Sequence, residues 1–118
     1  MLGAARRGAA EKRPRLRLDL KDTAVYAIGD VHGCLDELLA LESVIQRDAA
    51  DLPGEKLIVM IGDYVDRGPA SAQVLDHLAA PPPPGFRRIC LTGNHEMVML
   101  DYLEGRTSLT GWLAMGAE

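Results

Sequence analysis

Three short stretches carry most of the chemistry this chain could do: "GDVHG" (Gly29 to Gly33), "GDYVDRG" (Gly62 to Gly68) and "GNHE" (Gly93 to Glu96). Asp30, His32, Asp63 and Asn94 offer hard oxygen donors and one imidazole, a mixture that suits Mn²⁺, Fe or Zn²⁺ better than a soft thiolate metal. Asp30 and His32, two apart in one loop, can aim at the same ion. Asp63 is placed to bridge two ions, and Asn94 can reach the second through its amide oxygen. Two such cations activate a shared water and clamp an in-line displacement at phosphorus. Arg67 supplies a planar, bidentate donor for phosphate oxygens. His95 can protonate a leaving oxygen, with Asp66 fixing its tautomer.

These residues are useful only if the fold gathers them. Each motif follows a predicted strand: the apolar runs "AVYAI" (Ala24 to Ile28) and "LIVMI" (Leu57 to Ile61), and "FRRICLT" (Phe86 to Thr92). Helical spacing follows each motif, over Leu35–Asp48, Ala70–Ala79 and His95–Glu104, and a last turn runs through Leu109, Trp112 and Leu113. Expected inward positions are Leu35, Leu38, Leu39, Leu41, Val44 and Ile45, then Val74, Leu75 and Leu78, then Met99, Leu100 and Leu103. "DLPGE" and "PPPPG" punctuate the chain. The order β-α-β-α-β-α predicts an α/β fold with neighbouring parallel strands and right-handed crossovers. Unbroken apolar strands suit a sheet covered on both faces. Asp63 follows Asp30 by 33 residues, and Asn94 follows Asp63 by 31. One βαβ unit takes about 30 residues, so the polar residues recur at the same end of each strand, where open α/β sheets bind ligands.

In this order and spacing the three motifs resemble the calcineurin-like metallophosphoesterases and, more narrowly, the bacterial-type phosphoprotein phosphatases that act on phosphoserine and phosphothreonine. The resemblance covers about Val25 to Met99. It implies two divalent metals, Mn foremost and Fe or Zn as alternatives. Asp30, His32 and Asp63 would hold the first and Asp63 with Asn94 the second. Arg67 and Asn94 would bind the substrate phosphate, and His95 with Asp66 would serve the leaving group. The implied partner is a phosphorylated protein or other phosphoester. A second reading is symmetrical hydrolysis of diadenosine tetraphosphate. Enzymes of that kind commonly replace the second Asp of the middle motif, which is kept here as Asp66. A third reading is a non-catalytic remnant that binds a phosphate or a partner.

The chain departs from the family pattern after "GNHE". The family completes the second metal with two further histidines from later loops and adds a second phosphate-binding arginine, none of which has a place here, and His77 reads as an ordinary helix-surface residue. The 118 residues therefore resemble the N-terminal half of a metallophosphoesterase sandwich, with little or no turnover expected. An uncovered sheet face would favour self-association.

Charge divides the chain. Residues 1–17 carry six basic side chains against one acid, while the remainder is acidic and the net charge is −4. The expected organisation is a basic, flexible arm over residues 1–22, in which "RLRLDL" could add an edge strand, and a phosphoesterase part over residues 23–118. The basic arm is read as a solvated leader rather than a nucleic-acid contact. Cys34 and Cys90 make no disulfide framework, which suits a reducing, cytoplasmic setting. No run reaches the ~18 apolar residues that a membrane span requires, and no apolar segment follows Arg6-Arg7 as a secretory signal would need. Tyr64, Met97 and Met99 read as packing, Cys34 as a small filler, and Glu96 as either a loop brace or a first-turn acid favoured by the helix dipole.

Overall fold

A computed structural model describes residues 13–116. Three strands, β1 (Thr23–Ile28), β2 (Glu55–Met60) and β3 (Phe86–Cys90), form one parallel sheet in sequence order. Register pairs Ile28 with Met60 and Met60 with Cys90, so the three strands end level. Helices α1 (Leu35–Ala49), α2 (Ser71–Ala79), α3 (Asn94–Leu103) and the short α4 (Leu109–Leu113) complete the fold. The α/β class and the parallel order match expectation, with boundaries moved by one to two residues. "RLRLDL" forms no strand: its residues are irregular up to the turn that starts at Leu20. The first twelve residues of the expected arm lie outside the described residues.

Two right-handed crossovers stepping in one direction put their helices on the same face. Ile28, Ile58 and Met60 accordingly pack against Leu38 and Ile45 of α1 and Val74 of α2, with Leu75 and Leu78 at the margin. Among the described residues the other face carries no helix of this kind. Val25 and, just past the strand ends, Ile61 and Leu91 are exposed there, while Leu57 is buried outside the main cluster. The cover on both faces that apolar strands suggest is thus corrected, whereas the partly uncovered face also expected is seen in the exposure of Val25.

The stripe of α1 that faces the sheet is Leu35, Leu38, Glu42, Ile45 and Ala49. Leu39, Leu41 and Val44, expected inside, are exposed. Glu42 takes an inward position because Arg88 of β3 reaches it at 2.9 Å and His77 of α2 at 2.9 Å. A buried carboxylate is tolerated only when paired and hydrogen-bonded. His77 is therefore a clamp between α1, α2 and β3 rather than a surface residue. Met97, expected in the core, is exposed, as are Leu100 and Leu103 of α3, leaving Met99 as the residue of that helix packed on the core.

Candidate active site

The level strand ends deliver all three motif loops to one place. Both Val31 and His32 donate backbone N–H groups to the Asp63 carbonyl at 3.0 Å, and Gly33 donates to Tyr64 at 2.8 Å. Glycines make this approach possible. A Cβ on Gly68 would sit 1.9 Å from the His32 carbonyl oxygen, and one on Gly93 would sit 2.2 Å from Asp63 Oδ1. Any larger residue at either position must push two loops apart.

Among the described residues, His32 (φ 43°), Asp63 (φ 56°), Asp66 (φ 71°) and Arg67 (φ 72°) are the only non-glycine residues with positive φ. All four belong to the motif set. Left-handed backbone in such residues costs of order 1–3 kcal/mol each and persists only where surrounding structure over-determines it. Glu96 supplies much of that determination. Its carboxylate, buried at the start of α3, accepts N–H bonds from Asp63 (2.6 Å), Tyr64 (2.8 Å), Val65 (3.3 Å) and Gly93 (3.0 Å). Both roles considered for Glu96 are therefore filled by one side chain. Tyr64 is packing, as expected: it is buried, its hydroxyl donates to the Met60 and Leu91 carbonyls, and burial pushes its phenol pKa well above the ordinary value.

The donor atoms converge. One ligating atom each from His32, Asp63 and His95 lies within 4.8 Å of the others. Asp30 Oδ2 is 3.8 Å from His32 Nε2, and the Asp30 carboxylate is largely exposed at the loop tip. His32 Nδ1 lies 2.8 Å from the Val65 carbonyl, which can only accept, so Nδ1 carries the proton and Nε2 presents a lone pair to the strand ends. One end of the Asn94 amide lies 3.0 and 3.2 Å from the two Asp63 carboxylate oxygens. Turned nitrogen-inward it donates to them; turned oxygen-inward it adds another oxygen to the same cluster, an arrangement that a cation stabilises. Among the described residues no Lys or Arg pairs with Asp30, Asp63 or Asp66. Carboxylates, an imidazole lone pair and an amide oxygen with no resident cation fit a hard or borderline divalent metal.

On the leaving-group side, His95 Nδ1 is 2.9 Å from Asp66 Oδ2, with both side chains buried. The His95 and His32 rings meet edge to face at 4.6 Å. Asp66 also receives the Trp112 indole N–H, at 3.0 Å to Oδ1 and 3.2 Å to Oδ2. Trp112 carried no functional expectation, and nothing in its sequence setting signals the contact. Arg67 is exposed, and its backbone N–H donates to the Gly116 carbonyl at 2.7 Å. Every residue the motifs single out is thus brought to the carboxyl ends of the strands. His77, which they leave out, is held elsewhere.

A parallel sheet whose strand-end loops converge on a cation-free cluster of carboxylates and imidazoles defines a metallophosphoesterase-like site. The chain belongs to the calcineurin-like phosphoesterase family, whose pattern residues 23–115 match. Its similar proteins include the symmetrical bis(5'-nucleosyl)-tetraphosphatases of Yersinia pestis (strain Pestoides F) and Yersinia pseudotuberculosis serotype O:1b (strain IP 31758). Each is 42% identical over 82 residues, covering 70% of this chain and 26% of the relative. The chain spans about a quarter of the length of the curated relatives it matches, a smaller share than the half expected. These relatives are dinucleoside tetraphosphatases rather than serine/threonine phosphatases.

Proposed function

We propose that this chain forms the metal-binding part of a hydrolase that cleaves the central phosphoanhydride of a dinucleoside tetraphosphate. The supporting observation is the convergence of Asp30, His32, Asp63 and His95 within a segment similar to enzymes named for that reaction. In the proposed reaction, water oxygen bonds to one central phosphorus. The bridging P–O bond breaks, and the departing nucleoside diphosphate takes a proton, giving two nucleoside diphosphates.

Asp30, His32 and Asp63 would hold one divalent ion, and Asp63 with Asn94 would contribute to a second. Such ions supply an activated water at neutral pH and charge neutralisation at phosphorus. The protein side chains do the rest. Arg67, exposed in the middle motif loop, would fork onto phosphate oxygens, and Asn94 would add its amide. Asp66 would hold the proton on His95 Nδ1, so that Nε2 can take up a proton released by the attacking water and pass it to the departing oxygen.

One observation favours hydrolysis of phosphoserine or phosphothreonine as a second reading. The buried Asp66–His95 pair is a fully built proton donor, and an alkoxide leaving group needs protonation more than a diphosphate does. The test is a comparison of kcat/KM for diadenosine tetraphosphate and for a phosphoserine peptide, using the Mn²⁺-loaded protein carrying this chain. Faster dinucleotide cleavage, with ADP as the sole nucleotide product, supports the first reading. Faster release of phosphate from the peptide supports the second, and no turnover of either supports a binding role.

A further inference from the structure

Trp112 is the sole tryptophan of the chain, and it is half-buried against a carboxylate that is 3% exposed. We propose that Trp112 is a positioning residue: it locks the Asp66 carboxylate as a pure acceptor and thereby fixes the tautomer and aim of His95. The assignment of His95 to the leaving group rests on the phosphoesterase reading above; the positioning itself does not.

The argument begins with what an indole can do. Its N–H donates and never accepts, and it does not ionise at physiological pH. Here it is shared between both Asp66 oxygens, at 3.0 and 3.2 Å. Because the indole can only donate, it holds both Asp66 oxygens turned toward donors. Asp66 Oδ2 accepts from His95 Nδ1 at 2.9 Å, and Nε2 is then the nitrogen facing the strand-end cluster. A buried carboxylate with only the imidazole as side-chain donor would be free to turn about its Cβ–Cγ bond. Two donors on different sides prevent this.

The local structure is built to hold the indole there. Helix α4 is short, but Ser108 Oγ caps it by accepting the Gly111 N–H at 3.1 Å. The Trp112 ring lies 5.2 Å from the Tyr102 ring of α3. Beyond α4 the chain turns back, and the Gly116 carbonyl takes the Arg67 N–H at 2.7 Å. One segment after the third motif therefore grips two neighbouring residues of the second, Asp66 by a side chain and Arg67 by the backbone.

The experiment is NMR on the ¹⁵N-labelled 118-residue chain, which needs neither metal nor turnover. With one tryptophan, the indole N–H gives a single cross-peak. Asp66→Asn, which leaves one oxygen to accept, is expected to move that peak upfield. Long-range ¹H–¹⁵N correlation at fixed pH is expected to show His95 as a single Nδ1–H tautomer in the wild type and as a mixture in Trp112→Phe, which keeps the ring packed on Tyr102. An indole peak indifferent to Asp66→Asn overturns the proposal, and so does an unchanged His95 tautomer in a folded Trp112→Phe. Should Trp112→Phe fail to fold, the Asp66→Asn indole shift alone decides. Failure of either substrate assay would refute the reaction and leave these resonances unaffected.

Discussion

Among the described residues two histidine–carboxylate pairs share the same 2.9 Å contact: His95–Asp66, buried on both sides, and His77–Glu42, in which the carboxylate is buried and the imidazole partly exposed. Their surroundings differ. Arg88 sits 2.9 Å from Glu42 with its side chain buried, so the second pair is neutralised by a resident cation and ties α1, α2 and β3 together. The first pair opens onto Asp30, His32 and Asp63, with no Lys or Arg paired to any of these carboxylates among the described residues. A histidine bonded to a carboxylate is thus not in itself a sign of chemistry. What separates a clamp from a site is whether the negative charge has already been answered by the protein.

Breaking the clamp should give the largest change in stability. Glu42→Ala leaves Arg88 charged and buried without its partner, so about 3–5 kcal/mol of folding stability should be lost. Denaturant unfolding checks the size, and metal content of the folded fraction should not change. A loss below about 1 kcal/mol would mean that Arg88 finds water and that the clamp is weaker than its burial implies.

Breaking the site should do the reverse. Glu96→Gln replaces a carboxylate that collects four backbone N–H groups with an amide that must turn its NH₂ toward some of them. Metal affinity should fall about 10–100-fold, the range typical of residues that orient ligands. The stability cost should be nearer 1–3 kcal/mol. Isothermal titration with Mn²⁺ alongside unfolding separates the two. Gly93→Ala should act in the same direction, because the added Cβ would overlap Asp63 Oδ1. Unaltered Mn²⁺ affinity in Gly93→Ala would contradict the close approach of those loops.

The smallest effect is a pH dependence. Burial raises the Tyr64 phenol above its ordinary value of 10.0 in the folded state. Below that value both states keep the proton and pH has no leverage. Above it the unfolded chain releases a proton that the folded chain retains, so stability falls as pH rises. Tyr64→Phe should unfold less steeply at alkaline pH than the wild type, in pH-dependent denaturation. An identical slope would show that Tyr64 ionises freely in the folded chain.

The same contrast explains what could be read from the sequence. The strand ends were legible because each combines a glycine with a hard donor in adjacent positions, and because the motifs recur once per βαβ unit. The site residues come together as that spacing requires. Glu42 was not legible as a core residue: its partner Arg88 lies 46 positions away, and nothing local marks it off from Arg87 beside it. Trp112 and Asp66 are also 46 residues apart. Such pairings follow no local period and become visible only once the helices are placed. Leu39, Leu41 and Val44 misled for a related reason. α1 is apolar on more than one side, and periodicity does not say which side the sheet takes.

The central claim is that the cation-free cluster at the strand ends, and not the neutralised clamp, binds a divalent metal. It is tested most directly by elemental analysis of the Mn²⁺-reconstituted, gel-filtered chain, comparing wild type, Asp63→Asn and His77→Gln. The expected result is bound metal in the wild type and in His77→Gln, and its loss in Asp63→Asn. Metal retained in Asp63→Asn, or absent from the wild type, would contradict the account.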